Sequence, residues 1–195
     1  DPGGNGGAPT PTPVAPGDSL NRVVVAANRG AVSWDPPADW ASEPEWIISN
    51  AYDYLFTRSA DGSEWEPELA TEWERLDDYT IRFWLRDDVV FHDGTPFTAE
   101  DVKFHYERII AGTREEYIVR DQYQWIAEIN IIDDYTIDIV SHEPDSLFFW
   151  KLAQTNTGAG IVSKAYVEDV GPEGVHREPM GTGAWELADW GRDEF

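Results

Sequence analysis

Adjacent acidic residues are the side chains in this sequence with the clearest chemical potential. They occur as Asp77-Asp78, Asp87-Asp88, Glu115-Glu116 and Asp133-Asp134. A glycoside hydrolase needs two carboxylates on either side of a sugar bond, roughly 5 to 10 Å apart. Stacking surfaces for sugar rings could come from Trp34, Trp40 or Trp46. However, 38 acidic residues produce such pairs by chance, and neighbours in a strand point to opposite faces. A glycoside hydrolase fragment or a carbohydrate-binding module is therefore kept as the alternative interpretation.

Other catalytic and metal-binding patterns are missing from the sequence. It contains no phosphate-binding loop, no Gly-x-Ser-x-Gly turn and no His-Glu-x-x-His helix. The absence of cysteine excludes thiol catalysis, thiolate metal sites and disulfides. The sequence has four histidines, and no two of them lie three or four residues apart; they are His92, His105, His142 and His176. We therefore predict no metal site and no cofactor, and we expect His105 to be a hydrogen-bonded histidine at the margin of the core.

The charge of the chain limits its partners. With 14 Lys and Arg against 38 Asp and Glu, the formal net charge is −24. Nucleic acid and anionic membrane surfaces are bound through clustered Lys and Arg, so the sequence predicts neither partner. A hydrophobic content of 41%, with 10 Trp, 8 Tyr and 8 Phe, is enough for a packed core.

The secondary-structure elements that would position any site can be predicted in part from the sequence. Residues 1–19 are predicted to be a disordered tether, because the first 17 residues hold five Gly and five Pro. The β-branched run at 22–27 predicts a buried strand. Apolar residues at helical spacing predict a helix over 44–58. Alternation over 80–86 predicts a strand with one buried face.

The strongest local signal runs from Pro96 to Val102. Thr98 and Asp101 are spaced as a capping box, which predicts a helix that begins at Ala99, buries Val102 on its apolar stripe and ends at Gly112. Further along, we predict strands over 126–132 and 136–140, short helices over 145–154 and 163–169, and a last strand over 184–190. Strands and helices without strict alternation indicate the α/β class, as a mixed α+β fold.

Four stretches of the chain also carry a resemblance. They read PELATEWE at 67–74, DYTIRFWLRDDV at 78–89, FHDGTPFTAEDV at 91–102 and PMGTGAW at 179–185. This ordered set resembles the signature of family 5 extracellular solute-binding proteins, the dipeptide-, oligopeptide- and nickel-binding components of ABC importers. The signature residues are expected to have a structural role and not to contact a ligand, because they form a hairpin strand, a turn and a helix cap.

The resemblance implies the N-terminal part of a two-lobed periplasmic-binding-protein-like fold with an inserted smaller β-rich domain. Residues 20–50 would be the first segment of lobe I, 51–175 the inserted α+β domain and 176–195 the return strand. It also implies no enzyme activity. The partners would be a small peptide or similar solute and the permease subunits of an ABC transporter. The location would be extracytoplasmic, with membrane contact only through an N-terminal lipid anchor.

Ligand contacts are expected in loops at the ends of elements, where binding residues concentrate. On the implied fold these are the turn after the first strand and the segment opposite it. The candidate ligand-binding residues are Asn28, Arg29, Trp34, Thr155, Asn156 and Gly158. Family members continue into a second lobe, so the chain is expected to be a fragment or a truncated paralogue. Half a cleft should not bind a peptide tightly, because it cannot bury the ligand.

Overall fold

The computed structural model describes residues 33–38, 45–153 and 158–190. The helices in these ranges are α1 Glu45–Ile48, α2 Ala99–Ala111, α3 Phe148–Leu152 and α4 Lys164–Val175. The strands are β1 Phe56–Arg58, β2 Trp65–Pro67, β3 Ala70–Arg75, β4 Thr80–Leu85, β5 Ile126–Asp133 and β6 Thr136–Ser141. Several predictions fall outside the described residues: the tether at 1–19, the strand at 22–27, and residues Asn28, Arg29, Trp40, Thr155 and Asn156.

An antiparallel sheet in the order β3-β4-β6-β5 forms the centre of this part of the molecule. Along β4, Ile81, Phe83 and Leu85 are buried and alternate with more exposed residues, which confirms the predicted strand. Across the sheet, Ile81 pairs with Ile139 and Phe83 with Ile137, so one face is continuously apolar. The predicted strands on either side of the Asp133-Asp134 turn are confirmed as β5 and β6.

Several of the paired acids prove to be turn residues. Asp77 Oδ1 accepts the backbone N–H groups of Tyr79 and Thr80, each at 2.8 Å. Asp133 Oδ1 accepts the N–H of Tyr135 at 2.9 Å. A short polar side chain that bonds the backbone two residues on stabilises the turn. These carboxylates therefore serve the hairpins rather than facing a common substrate.

Helix α2 forms where it is predicted, from Ala99, and its buried residues join the same core as the apolar face of the sheet. Asp101 Oδ2 accepts the N–H of Thr98 at 2.9 Å and its hydroxyl at 3.2 Å, so the carboxylate reaches back across the first turn. At the other end, Gly112 donates its N–H to the carbonyl of Arg108. The buried stripe of α2 includes Val102, Tyr106 and Ile109. On the sheet side, Lys103 Nζ donates to the carbonyl of Ile129 on β5 at 2.9 Å.

The predicted helix over 44–58 is wrong, since within the described residues 45–58 the helix is limited to Glu45–Ile48 and Phe56–Arg58 is strand β1. The carbonyls of Tyr54 and Leu55 accept the N–H groups of Leu69 and Ala70, each at 2.8 Å, and this pairing holds the segment extended. Its apolar residues recur because nearly every side chain from Ala51 to Phe56 is buried. They do not form one face of a helix.

The strand predicted over 184–190 is also wrong, because these residues have no strand conformation. Two hydrogen bonds hold the start of the segment: Gly183 donates to Ala51 and Trp185 to Asn50, both at 3.1 Å. No described strand lies alongside the rest of it. The helix predicted over 163–169 is longer than expected and continues to Val175 through a kink at Gly171. The helix predicted over 145–154 is confirmed as the shorter α3.

Candidate functional site

The two segments predicted to face a ligand, 28–34 and 155–160, are described at 33–34 and 158–160. Residues 35–38 follow directly after the first segment and pack against the second at Gly158. A Cβ atom placed on Gly158 would be 3.2 Å from Pro37 Cα and 2.7 Å from a Val119 methyl group. Gly158 also has a φ of +89°, in the left-handed region that favours glycine. Both restrictions make glycine the residue that fits at this junction.

Asp35 anchors the first of these segments to helix α2. Its carboxylate forms a two-point ion pair with Arg108, with Nη2–Oδ1 at 2.5 Å and Nη1–Oδ2 at 3.0 Å. The Asp35 side chain is fully buried and that of Arg108 is 8% exposed. Burial opposes the charge on Arg108, but Asp35 outweighs it and raises the pKa of the guanidinium. The Tyr117 ring lies against the guanidinium at 5.3 Å. The guanidinium therefore keeps its charge and fixes the position of Asp35.

His105 anchors the second segment. Its Nε2 lies 2.7 Å from the carbonyl oxygen of Gly158. A carbonyl oxygen only accepts, so Nε2 carries the hydrogen and Nδ1 is unprotonated. Burial, with a further contribution from Arg108, lowers the pKa of His105 to about 3. The predicted hydrogen-bonded histidine is confirmed, although it lies in the core and not at its margin.

Asp101 connects the same helix to α4. Its Oδ1 accepts the N–H of Lys164, the first residue of α4, at 2.9 Å. Asp101, His105 and Arg108 are four and three residues apart, which places them on one face of α2. We call these three residues the polar stripe of α2. The stripe was missed as a unit, although its spacing is visible in the sequence.

Trp34, a predicted ligand contact, has its side chain in the core. The residue is 7% exposed, and its indole packs edge-to-face with Trp190 at a centroid distance of 6.3 Å. The backbone N–H of Trp34 donates to the carbonyl of His176 at 3.1 Å, and its backbone carbonyl accepts the hydroxyl of Tyr52 at 2.9 Å. The structure thus places Trp34 beside the candidate face, with its ring turned into a hydrophobic cluster.

A cleft of about 900 Å³ opens next to this cluster. Residues 33–38, the end of α4 and residues 186–190 contribute to its walls. Ser33 and His176 meet there, with Oγ and Nδ1 2.5 Å apart. Among the residues that line the cleft, Arg177 is the one Lys or Arg side chain. Five acidic residues line it: Asp93, Glu173, Glu178, Glu186 and Asp189. Its lining therefore disfavours anionic ligands.

His92 joins two of the signature stretches. Its N–H donates to the carbonyl of Gly181 at 3.0 Å, and its Nε2 lies 2.8 Å from the carbonyl oxygen of Gly183. Both glycines pass close to the backbone of Ala51. A Cβ added to Gly181 would lie 2.1 Å from the Ala51 oxygen, and one added to Gly183 would lie 2.5 Å from the Ala51 carbonyl carbon. The two stretches thus form one packed unit with the segment around Ala51.

The described ranges hold no group of three or more His, Cys, Asp or Glu side chains that could bind a metal ion. Within the same ranges, no helix combines the length and the apolar character that crossing a membrane requires.

Comparison with known proteins agrees with this arrangement. The family model described as "Bacterial extracellular solute-binding proteins, family 5 Middle" matches residues 64–195. The glutathione-binding protein GsiB of Escherichia coli O1:K1 / APEC is 32% identical over 182 residues, covering 91% of this chain and 34% of GsiB. The probable ABC transporter periplasmic-binding protein SapA of E. coli K12 is 31% identical over 152 residues, covering 66% of this chain and 27% of SapA.

A similar fold is seen in the dipeptide-binding protein from Pseudoalteromonas sp. SM9913, solved in complex with Met-Leu. The match has a TM-score of 0.76 and a sequence identity of 25%, and it covers 86% of this chain and 37% of the dipeptide-binding protein. The chain thus spans about a third of the length of these relatives. The mixed α/β fold expected from the sequence is confirmed. With the family model matching more than half of its residues, the chain belongs to the family 5 bacterial extracellular solute-binding proteins.

Proposed function

We propose that this chain is part of the substrate-binding component of an ABC importer, which captures a peptide-like solute outside the membrane. The observation that carries the proposal is the family match over residues 64–195. It is supported by relatives whose names record glutathione binding and a bound Met-Leu dipeptide. In this function the protein delivers its ligand to the permease subunits by closure of domains about a hinge, without chemistry.

We further propose that the ligand lies against the loops around residues 28–34 and 155–160. The proposed contacts are Asn28, Arg29, Trp34, Thr155, Asn156 and Gly158. The adjacency of Pro37 and Gly158 supports this arrangement, because it brings the two loops to one place. Since the Trp34 indole packs inward, its part in the proposed site is to hold the loop, with its backbone nearest the ligand. The lobe division at residues 20–50, 51–175 and 176–195 belongs to the same proposal.

The carbohydrate alternative has less support from the structure. A sugar platform needs an exposed aromatic face, and the Trp34 ring packs against Trp190. A hydrolase needs two carboxylates that face each other, whereas Asp77 and Asp133 bond their own turns. These contacts favour solute binding over glycoside hydrolysis.

The proposed location is extracytoplasmic, as the names of the relatives indicate for those proteins. An N-terminal lipid anchor is proposed as the membrane attachment. Cell fractionation checks both points: the protein should appear outside the cytoplasm, and an anchored form should stay with the membrane fraction after a high-salt wash and be released by detergent.

Isothermal titration calorimetry tests the function on the protein translated from the whole reading frame. The ligands are a panel of dipeptides and tripeptides, nickel chelates and oligosaccharides. We expect saturable binding of at least one peptide and no turnover of glycosides. Failure of every peptide to bind would overturn the proposal, and turnover of a glycoside would support the carbohydrate alternative.

A further inference from the structure

The polar stripe of α2 holds three separate parts of the chain at once. Asp101 holds the start of α4 through the N–H of Lys164, His105 holds the carbonyl of Gly158, and Arg108 holds the carboxylate of Asp35. We infer that His105 and Arg108 are positioning residues that set the spacing between the two ligand-facing loops. This inference rests on the proposed function, because it assigns a role in affinity to residues that do not touch the ligand.

Helix α2 contributes side-chain bonds to the alignment of the two loops. No backbone hydrogen bond joins residues 33–38 directly to residues 158–161 in the described structure, and their contact is van der Waals packing such as that of Gly158 with Pro37. Pro36 and Pro37 also lack the N–H group that such a bond would need. Packing alone permits sliding, so directional bonds from neighbouring elements fix the register of the loops. The bonds from α2 act together with those from residues 52–53, where Tyr52 donates to the Trp34 carbonyl and the Asp53 carbonyl accepts the N–H of Ile161.

Helix geometry makes this spacing rigid. His105 and Arg108 are three residues apart, about 4.5 Å along the helix axis at about 1.5 Å per residue. Both side chains end in geometrically restricted bonds, a single-tautomer imidazole and a two-point guanidinium fork. A change at either contact therefore shifts one loop relative to the other while α2 itself stays in place.

Replacing His105 by two amides separates positioning from simple burial. In His105→Gln the amide nitrogen lies near the site of the imidazole Nε2 and can still donate to Gly158. In His105→Asn the amide is shorter and lies near the site of Nδ1, so the Gly158 carbonyl loses its donor. The two variants are similarly polar. Arg108→Lys removes the two-point fork but keeps the charge.

Arg82→Lys is the matched control. Arg82 also forms a two-point pair with a carboxylate, at 2.7 and 2.8 Å from Asp138, but it lies on the sheet face away from the loops. The readouts are peptide affinity by calorimetry and amide hydrogen exchange, both on the protein from the whole reading frame. Exchange is read at Ile161, whose N–H donates to the carbonyl of Asp53 at 3.1 Å.

We expect His105→Asn and Arg108→Lys to weaken affinity by roughly threefold to thirtyfold, the range for residues that act through others. His105→Gln should restore most of the affinity lost in His105→Asn, and Arg82→Lys should leave it unchanged. Equal affinity in the Asn and Gln variants would overturn the inference. So would a loss in Arg82→Lys as large as that in Arg108→Lys.

Hydrogen exchange decides the inference even when no peptide binds. Faster exchange at Ile161 in His105→Asn than in His105→Gln supports positioning, whereas equal exchange overturns it. A wild-type protein that binds no peptide but shows this exchange difference would refute the proposed function and leave the role of α2 standing. The two failures are therefore distinguishable.

Discussion

Arg108 and Asp35 are 73 residues apart in sequence and form a two-point ion pair that solvent hardly reaches. Removing one partner of such a pair leaves a buried charge without compensation. We predict that Asp35→Ala lowers the free energy of unfolding by about 3 to 5 kcal/mol, measured by urea denaturation at neutral pH.

The less buried pair of Arg82 and Asp138, with side chains 28% and 12% exposed, supplies the control for this measurement. The Arg82 side chain is 28% exposed, so water compensates its charge when the partner is removed. Asp138→Ala should cost about 1 kcal/mol. Equal losses at the two sites would contradict the assignment of Asp35 as a buried anchor.

Glu68 is expected to make stability depend on pH. Burial and the neighbouring carboxylate of Asp53 raise its pKa to about 8. Between the usual glutamate pKa and pH 8, the folded state keeps a proton that the unfolded state has lost, so stability falls as pH rises through this window. Glu68→Gln should be more stable than the wild type at pH 9 by roughly 1 to 3 kcal/mol.

Thermal melts from pH 5 to 9 measure this effect. Glu66→Gln is the matched control, because Glu66 lies two residues away with an exposed side chain. It should follow the wild-type pH dependence. A Glu68→Gln curve that runs parallel to the wild type at every pH would show that Glu68 does not retain its proton in the folded state.

Gly183 is expected to tolerate no side chain. A Cβ there would lie 2.5 Å from the carbonyl carbon of Ala51 and 2.6 Å from the oxygen of Asn50, both backbone atoms that cannot rotate away. We predict that Gly183→Ala destabilises the protein by about 2 to 4 kcal/mol, judged from the range for overpacked and strained sites.

Gly94→Ala tests whether this loss comes from the close approach. Gly94 has a φ of +84° but no atom within 4 Å of the position of an added Cβ. Its substitution should cost about 1 kcal/mol, from backbone conformation alone. The explanation fails if the two alanine variants melt at the same temperature.

The charge of −24 predicts a stabilising effect of salt. Exposed carboxylates repel each other, and the Debye length falls from about 10 Å at 0.1 M salt to about 3 Å at 1 M. We expect the melting temperature to rise by several degrees between these NaCl concentrations. Sucrose provides a reference for stabilisation without screening, and a melting temperature that is flat or falling in NaCl would contradict the prediction.

Local patterns predicted the parts of the fold that local chemistry decides. The alternation over β4 and the cap formed by Thr98 and Asp101 each lie within a few residues, and both features form as expected. The segment at 44–58 failed because its conformation depends on Leu69 and Ala70, which pair with it from elsewhere in the chain. Apolar spacing does not distinguish one buried face from burial on all sides.

For the same reason, the candidate site could be predicted only in part from the sequence. The segments containing Trp34 and Gly158 were chosen from the resemblance, and Pro37, three residues after Trp34, packs against Gly158. Their anchors could not be chosen, because Asp35 and Arg108 become partners only when residues 73 positions apart are brought together. Arg108 also looks like an ordinary exposed helix residue when it is viewed in sequence alone.

The bond from Lys103 to the carbonyl of Ile129 has a consequence for contacts between copies of the protein. Strand β5 is the outermost strand of its sheet, and such an edge offers unpaired backbone groups to another chain. Lys103 occupies one of those groups, and Glu128 and Asp133 stand exposed on the same strand. A strand from a second copy would have to displace the lysine and accept the repulsion of both carboxylates, so this border resists intermolecular strand addition and the aggregation that follows from it.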